Sequence, residues 1–330
     1  MVLSVNVLLT GANGFLGRAI LSRLLNSDVS VYATDFGPAG RISGAAYRKA
    51  DITRPEELKP VLESANTVIH VAGLAHIFSP DGNSIERFRQ VNEIGTANVA
   101  SAASAAGVGH LILISSVSVY GPYTQGMYDE SAPCNPVGPY ALSKYKAELR
   151  AMEVARKSGM ALTILRLATL YGEEDPGNVG RLIRSIDRGR FVWIGRGENL
   201  KSLLHREDAA RACIAAIKTP ISGINIYNVS APPCKMCDIV AAITNSLGKS
   251  VPSWHVPASF ALNSAKILRN LSFNCSRLST VHDTLQKWMA DDYYDVDKLC
   301  KTFNFKTHVR MEEGIQREVK WYKDSSGRIN

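Results

Sequence analysis

A chain of 330 residues, 45% hydrophobic and 21% charged, has the size and composition of a globular protein that buries a sizeable core. Its longest apolar stretches, such as Val2–Leu9 with Asn6 inside it, are too short to cross a bilayer. The formal net charge of +8 comes from scattered Lys and Arg rather than runs, which argues against nucleic acid and suits a substrate carrying phosphates.

Met1–Leu9 leads straight into a glycine-rich segment with no basic start or cleavage site, so a cytoplasmic protein is expected. Val5–Thr10 is an apolar, β-branched run, and Phe15–Leu25 carries apolar residues at helical spacing. Between them Gly11, Gly14 and Gly17 divide three tasks: a tight turn, close backbone approach to a pyrophosphate, and close helix–strand packing. Phosphates then face the free N–H groups of the following helix, in a loop whose other residues are Asn13, Phe15 and Leu16. A second strand, Val29–Asp35, ends on a carboxylate placed to accept both ribose hydroxyls and to repel a 2′-phosphate, so NAD is favoured over NADP. Arg41, Arg48 and Lys49 lie near enough to keep NADP in play. Asp51 and Ile52 follow a third short strand and could flank the adenine, or Asp51 could cap the helix before Pro55.

Thr67–Ala72, Leu111–Ser115 and Ala161–Leu167 read as further buried strands without strict alternation, with helical stretches at Ile85–Ala106 and Tyr140–Lys157 between them. This alternation predicts a doubly wound parallel α/β sheet. Beyond it, helical patterns at Asn178–Arg188, His205–Lys218, Met236–Leu247, Pro257–Leu271 and Glu312–Trp321 alternate with short strands at Phe191–Ile194 and Gly223–Val229. They suggest a smaller α/β lobe interleaved with the sheet domain, with an approximate boundary at 170. Six cysteines include one ligand-like pair, Cys234 and Cys237; no second pair exists to complete a zinc site, and no metal is expected.

Tyr140 and Lys144 stand one helical turn apart, and Ser116 ends a strand. A neighbouring ammonium and a positive nicotinamide ring would draw the phenol toward ionisation at working pH, and the serine would steady the reacting oxygen. The set is that of an enzyme oxidising or reducing a hydroxyl or carbonyl carbon.

Taken together, Gly11-x-x-Gly14-x-x-Gly17, His70-Val71-Ala72-Gly73, Val91-Asn92-x-x-Gly95-Thr96, Ser115–Gly121, Pro139-Tyr140-Ala141-x-Ser143-Lys144, Arg166-x-x-x-Leu170-Tyr171-Gly172 and His205-Arg206-Glu207-Asp208 resemble the extended short-chain dehydrogenases/reductases of the nucleotide-sugar epimerase/dehydratase branch. The resemblance spans nearly the whole chain. It implies a Rossmann domain at 1–170 and a substrate lobe at 171–330, NAD held partly by Ala72 and Asn92, and Tyr140 as acid/base with Lys144 and Ser116 assisting. It places a nucleotide-diphosphate sugar against Ser118, Asn178, Lys201 and Arg277, and a homodimer through the helices at 85–106 and 140–157.

Members that remove water carry an Asp-Glu pair after the serine, where this chain has Val117-Ser118; the decarboxylases carry Glu at the second of these. The 3,5-epimerase/reductases have a cysteine in the serine strand, and none occurs here. C4 chemistry is left: 4-epimerisation first, then 4-ketoreduction, or reduction of a non-nucleotide carbonyl compound. A catalytically silent dinucleotide sensor is a further alternative, disfavoured by the intact Ser116, Tyr140 and Lys144. Ala75-His76 where UDP-galactose epimerases carry a lysine, and Lys201 in place of the usual arginine, depart from ordinary UDP-galactose epimerisation.

Overall fold

The computed structural model describes residues 5–40, 42–75, 83–121, 127–251, 253–257, 259–260 and 289–326. Its strands are β1 (Asn6–Thr10), β2 (Ser30–Asp35), β3 (Ala46–Lys49), β4 (Thr67–His70), β5 (His110–Ser116), β6 (Ala161–Leu167), β7 (Thr169–Tyr171), β8 (Trp193–Ile194), β9 (Leu200–Lys201), β10 (Leu203–His205), β11 (Ile224–Val229), β12 (Cys234–Lys235) and β13 (His255–Val256). The helices are α1 (Phe15–Leu25), α2 (Pro55–Leu62), α3 (Ser84–Phe88), α4 (Gly95–Ala105), α5 (Pro139–Ser158), α6 (Asn178–Asp187), α7 (Arg206–Lys218), α8 (Met236–Leu247), α9 (Asp297–Phe303) and α10 (Met311–Ser326).

Seven strands form one parallel sheet in the order β11-β6-β5-β4-β1-β2-β3. β1 lies between β2 and β4, with Val7 level with both Val31 and Thr67. Helices cover both faces, which is why the inner strands are apolar on every side chain rather than on alternate ones. On one face Ile20 and Leu24 of α1 pack with Ala209, Cys213 and Ala216 of α7; on the other, Leu58, Val99, Ala151 and Met152 cover Leu8, Val68 and Leu113. β11 comes from beyond residue 171 yet completes the sheet beside β6. A separate apolar cluster of Leu182, Ile186, Trp193, Ile239, Ile243 and Ile315 fills the smaller lobe. No described helix is long and apolar enough to cross a membrane.

Two elements differ from the sequence pattern. The expected strand at 67–72 ends at His70, because the N–H groups of Val71 and Ala72 both donate to Thr10 Oγ1, at 3.2 Å each, instead of continuing the ladder. The expected helix at 85–106 is broken by a π-helical turn, Arg89–Ile94. Such turns insert one residue and redirect a side chain. Here it delivers buried Asn92 to Leu74 and Ser143.

Buried titratable groups set a pH optimum for stability. His70 is buried between Thr10 Oγ1 (2.8 Å) and Thr96 Oγ1 (3.0 Å), and burial followed by the Lys144 charge depresses it to about 3; burial takes His110 to about 4. Both stay neutral in the fold while the unfolded chain takes up protons below about pH 6.5, so their contribution is lost as the pH falls. Glu318 is opposite: burial, then the Asp175 and Glu173 charges, raise it to about 9, so its contribution is lost as pH rises above its unfolded value. The urea midpoint should climb from about pH 4.5 to 6.5 and decline from there toward about pH 8. Glu318→Gln should flatten the decline; an unchanged decline in that variant would refute the assignment.

Candidate active site

The carboxyl ends of β1, β4, β5 and β6 open on one cleft of 1660 Å³, ample for a dinucleotide and a second ligand. The glycine loop forms its floor. Gly11 has φ +70°, and a Cβ there would meet Ala72 N at 2.6 Å; a Cβ on Gly17 would lie 2.0 Å from Gly11 O. No side chain caps α1 at Gly14, so its first N–H groups are left for an anionic ligand. Asn13, Gly14, Phe15 and Leu16 line the cleft, as do Asp51, Ile52 and Ala72. These residues fit a dinucleotide diphosphate.

Asp35 is aimed at the loop. Its Oδ2 accepts from Asn13 N at 3.0 Å and its Oδ1 from Phe36 N at 2.9 Å. Lys49 is level with Asp35 across β2 and β3, while the Arg48 guanidinium donates to Pro60 O, away from the cleft; Arg41 lies outside the described residues. Asp35→Asn should weaken NAD about tenfold and narrow its margin over NADP, measured by equilibrium titration of both coenzymes. Equal NAD affinity in wild type and variant would exclude Asp35 from the ribose. Asp51 Oδ1 accepts from Thr53 N and Thr53 Oγ1, so that carboxylate also holds its own turn.

Ser116, Tyr140 and Lys144 line the same cleft. β5 ends on Ser116, whose Oγ accepts from Ser118 N at 3.2 Å and whose hydroxyl lies near enough to Tyr140 to favour its ionised form. α5 starts at Pro139 behind Gly138 at φ +89°, so Tyr140 and Lys144 leave its first turns side by side. Burial raises the Tyr140 phenol, and the Ser116 hydroxyl only partly opposes it. The Lys144 ammonium donates to the Ile114 carbonyl, and burial lowers it to about 8. Asn92 acts behind this pair: its amide is shared between Leu74 and Ser143 Oγ, which itself donates to Tyr140 O at 2.8 Å. It orders the start of α5.

On the opposite wall, Asn178 opens α6 after Asp175 has taken the N–H groups of Gly177 and Gly180. Lys201 lines the cleft with Nζ on Ala290 O at 2.8 Å, lowered by burial against the raising charges of Asp292 and Asp291. Ser118 Oγ is buried on the cleft with no hydrogen-bond partner among the described residues. Arg277 and His76 fall outside the described residues. His205 caps α7, its Nδ1 accepting from Glu207 N, and Asp208 accepts from the N–H groups of His308 and Val309.

Two cleft residues escaped the sequence reading. Ser202 and Thr34 are 1% exposed, line the cleft and have hydroxyls without a partner among the described residues. The only cue was position, one beside Lys201 and the other beside Asp35. Cys234 and Cys237 are free thiols at the start of α8, and no cluster of three or more metal-ligating residues occurs among the described residues.

Comparison with known proteins agrees with this layout. The chain is 29% identical over 322 residues to the N-acetyl-alpha-D-glucosaminyl-diphospho-ditrans,octacis-undecaprenol 4-epimerase of Escherichia coli O157:H7, covering 96% of this chain and 95% of that one. It is 25% identical over 329 residues to the UDP-glucose 4-epimerase of Vibrio cholerae, covering 98% and 97%. The fold matches the UDP-glucuronic acid 4-epimerase of Bacillus cereus, solved with NAD, at a TM-score of 0.79 and 20% identity, covering 97% of this chain and 99% of that one. A profile of the NAD dependent epimerase/dehydratase family matches residues 7–230, and with its glycine cradle and its serine, tyrosine and lysine on one cleft this chain belongs to that NAD-dependent enzyme family.

Proposed function

We propose that the protein is an NAD-dependent sugar-diphosphate C4-epimerase working through a 4-keto intermediate, with a nucleoside diphosphate as the first carrier to be tested. One observation carries the reading: Ser116, Tyr140 and Lys144 line together the cleft that the glycine loop floors, with no carboxylate at 117 or 118 to remove water. The C4 relatives support it. One acts on a sugar diphosphate of undecaprenol and another on UDP-glucose.

NAD would lie along Gly11–Gly17, with Asp35 on its adenosine ribose and Lys144 on the other; when bound it supplies hydride acceptance from C4 and return of the hydride to the opposite face. Tyr140 takes the 4-OH proton on the way out and gives it back on the way in, so the residue ends as it began. Ser116 donates to whichever oxygen carries charge, the phenolate or the sugar 4-oxygen. Burial makes the phenol reluctant to ionise, so the positive nicotinamide ring, with Lys144 behind it, would have to supply the compensating field. Asn178 and Lys201 would hold the diphosphate, and the unpartnered Ser118 hydroxyl faces the sugar. A homodimer belongs to the same reading, since Leu142 and Leu149 stand exposed two turns apart on α5.

The test is incubation with UDP-glucose and UDP-N-acetylglucosamine without added coenzyme. Appearance of the C4 epimer with no net change at the reduced-nicotinamide band is the expected result. Stoichiometric consumption of added reduced coenzyme, with no epimer, would make the protein a reductase instead.

A further inference from the structure

We propose that the outer end of the substrate cleft is a lipid-docking surface, so that the enzyme works at an anionic bilayer on a sugar diphosphate carried by a long-chain isoprenoid. The substrate half rests on the C4-epimerase reading; the docking half does not.

The geometry starts at β8 and β13, a parallel pair with His255 level with Trp193 and Val256 level with Ile194. Trp193 N donates to Trp254 O at 2.9 Å, extending the pairing backward by one residue. Side chains alternate along a strand, so Val192 and Ile194 share one face, and Trp254 and Val256 stand beside them on it. On the other face Trp193 is buried in the lobe core and the exposed His255 stacks on it, ring centroids 5.8 Å apart. Val192 and Ile194 line the cleft. Trp254 therefore continues an apolar wall of the cleft outward, and at 80% it is the most exposed large apolar side chain among the described residues. Val192, Val251 and Phe260, at 45%, 50% and 66%, are exposed on the same two segments.

A surface tryptophan with exposed aliphatic and aromatic neighbours is costly against water and marks a contact site. Its surroundings choose the partner. Along residues 188–198 Arg188, Arg190 and Arg196 are exposed beside one exposed acid, Glu198, with Asp238 and Asp291 exposed on the segments that bond to Gly197 and Leu200, while Lys249 is held by Asp187 at 2.7 Å. A second copy would bring these arginines against their own kind. Anionic headgroups complement them, and an indole with an apolar body and one N–H suits the interfacial zone of a bilayer. A diphosphate at Asn178 and Lys201 would then have its carrier leave the cleft past Ile194, Val192 and Trp254, an apolar path that fits an isoprenoid chain.

Two measurements on the full chain test this. In sedimentation with vesicles of phosphatidylcholine containing phosphatidylglycerol, wild type should bind, should not bind phosphatidylcholine alone, and should be released by salt. Trp254→Ser, which keeps the backbone carbonyl that Trp193 uses, should cut the bound fraction about tenfold, and Arg188→Glu/Arg196→Glu should do likewise. Absence of binding by wild type, equal binding by Trp254→Ser, or a concentration-dependent self-association lost in Trp254→Ser would each overturn the docking surface. In the second measurement, wild type should epimerise polyprenyl-diphosphate N-acetylglucosamine in those vesicles faster than UDP-N-acetylglucosamine in solution, and Trp254→Ser should lower that ratio. Conversion of the UDP sugar alone would overturn the lipid carrier and leave C4-epimerisation standing. Conversion of neither would sink the epimerase reading, with the vesicle result still deciding the docking surface.

Discussion

Tyr140→Phe should lower kcat by roughly a thousandfold while leaving NAD binding intact. The substitution removes one oxygen and nothing that holds the ring, which packs edge-on against Phe88 with centroids 5.9 Å apart. The lost atom is the one that must take and return the sugar proton, on the cleft that Ser116 also lines. Without it the 4-OH has no base beside it, because Lys144 is committed to the Ile114 carbonyl and His70 is sealed between two threonines. Single-turnover epimerisation together with a coenzyme titration of the same preparation checks the claim. A kcat within about tenfold of wild type would show that proton transfer runs through another group.

The sheet was readable because buried parallel strands write themselves as uninterrupted apolar runs. Ala161–Leu167, and the helices Phe15–Leu25 and Met236–Leu247, appear residue for residue as the periodicity predicts. What the pattern missed depends on contacts between distant segments. The π-helical turn at Arg89–Ile94 has no period of its own over six residues; it exists because Asn92 finds Leu74 and Ser143. Thr34 lay within an expected strand and Ser202 outside any expected element, and only the packed cleft wall shows their hydroxyls without a partner among the described residues.

The acidity of Tyr140 is the most instructive case. One helical turn from Tyr140 to Lys144 suggested an ammonium pressed on a phenol. Spacing fixes the face of the helix, however, and says nothing of the carbonyl at Ile114 that takes the ammonium or of the burial that raises the phenol. β11, from beyond the approximate boundary at 170, pairs with β6 in the sheet.

Arg166→Met should cost about 3–5 kcal/mol of stability, because it strands a carboxylate that has no route to water. Glu148 is fully buried, and Arg166 on β6 holds it through two bonds, Nε to Oε1 at 3.0 Å and Nη2 to Oε2 at 2.7 Å. Ser115 Oγ donates the third at 2.5 Å, which one hydroxyl cannot make sufficient for a full charge. In the variant the buried carboxylate has lost its counter-charge, so the fold penalises its charged form. By linkage the stability deficit is then smallest at acid pH and widens as the pH rises. Urea midpoints of wild type and variant at about pH 5 and pH 8 give the sign directly; a deficit that shrinks with rising pH would refute a stranded carboxylate. The double variant Arg166→Met/Glu148→Met should recover most of the loss, since apolar groups of similar volume replace buried ion pairs at little cost. It should also move the reaction. Glu148 follows Lys144 by one turn of α5, and its charge is what opposes the depression of that lysine to about 8. With the charge gone Lys144 should titrate lower still, and the alkaline limb of kcat should shift to lower pH in a protein that has regained most of its stability. A pair buried beneath the catalytic helix would thus be tuning the lysine above it, through the field it projects rather than through any contact with substrate.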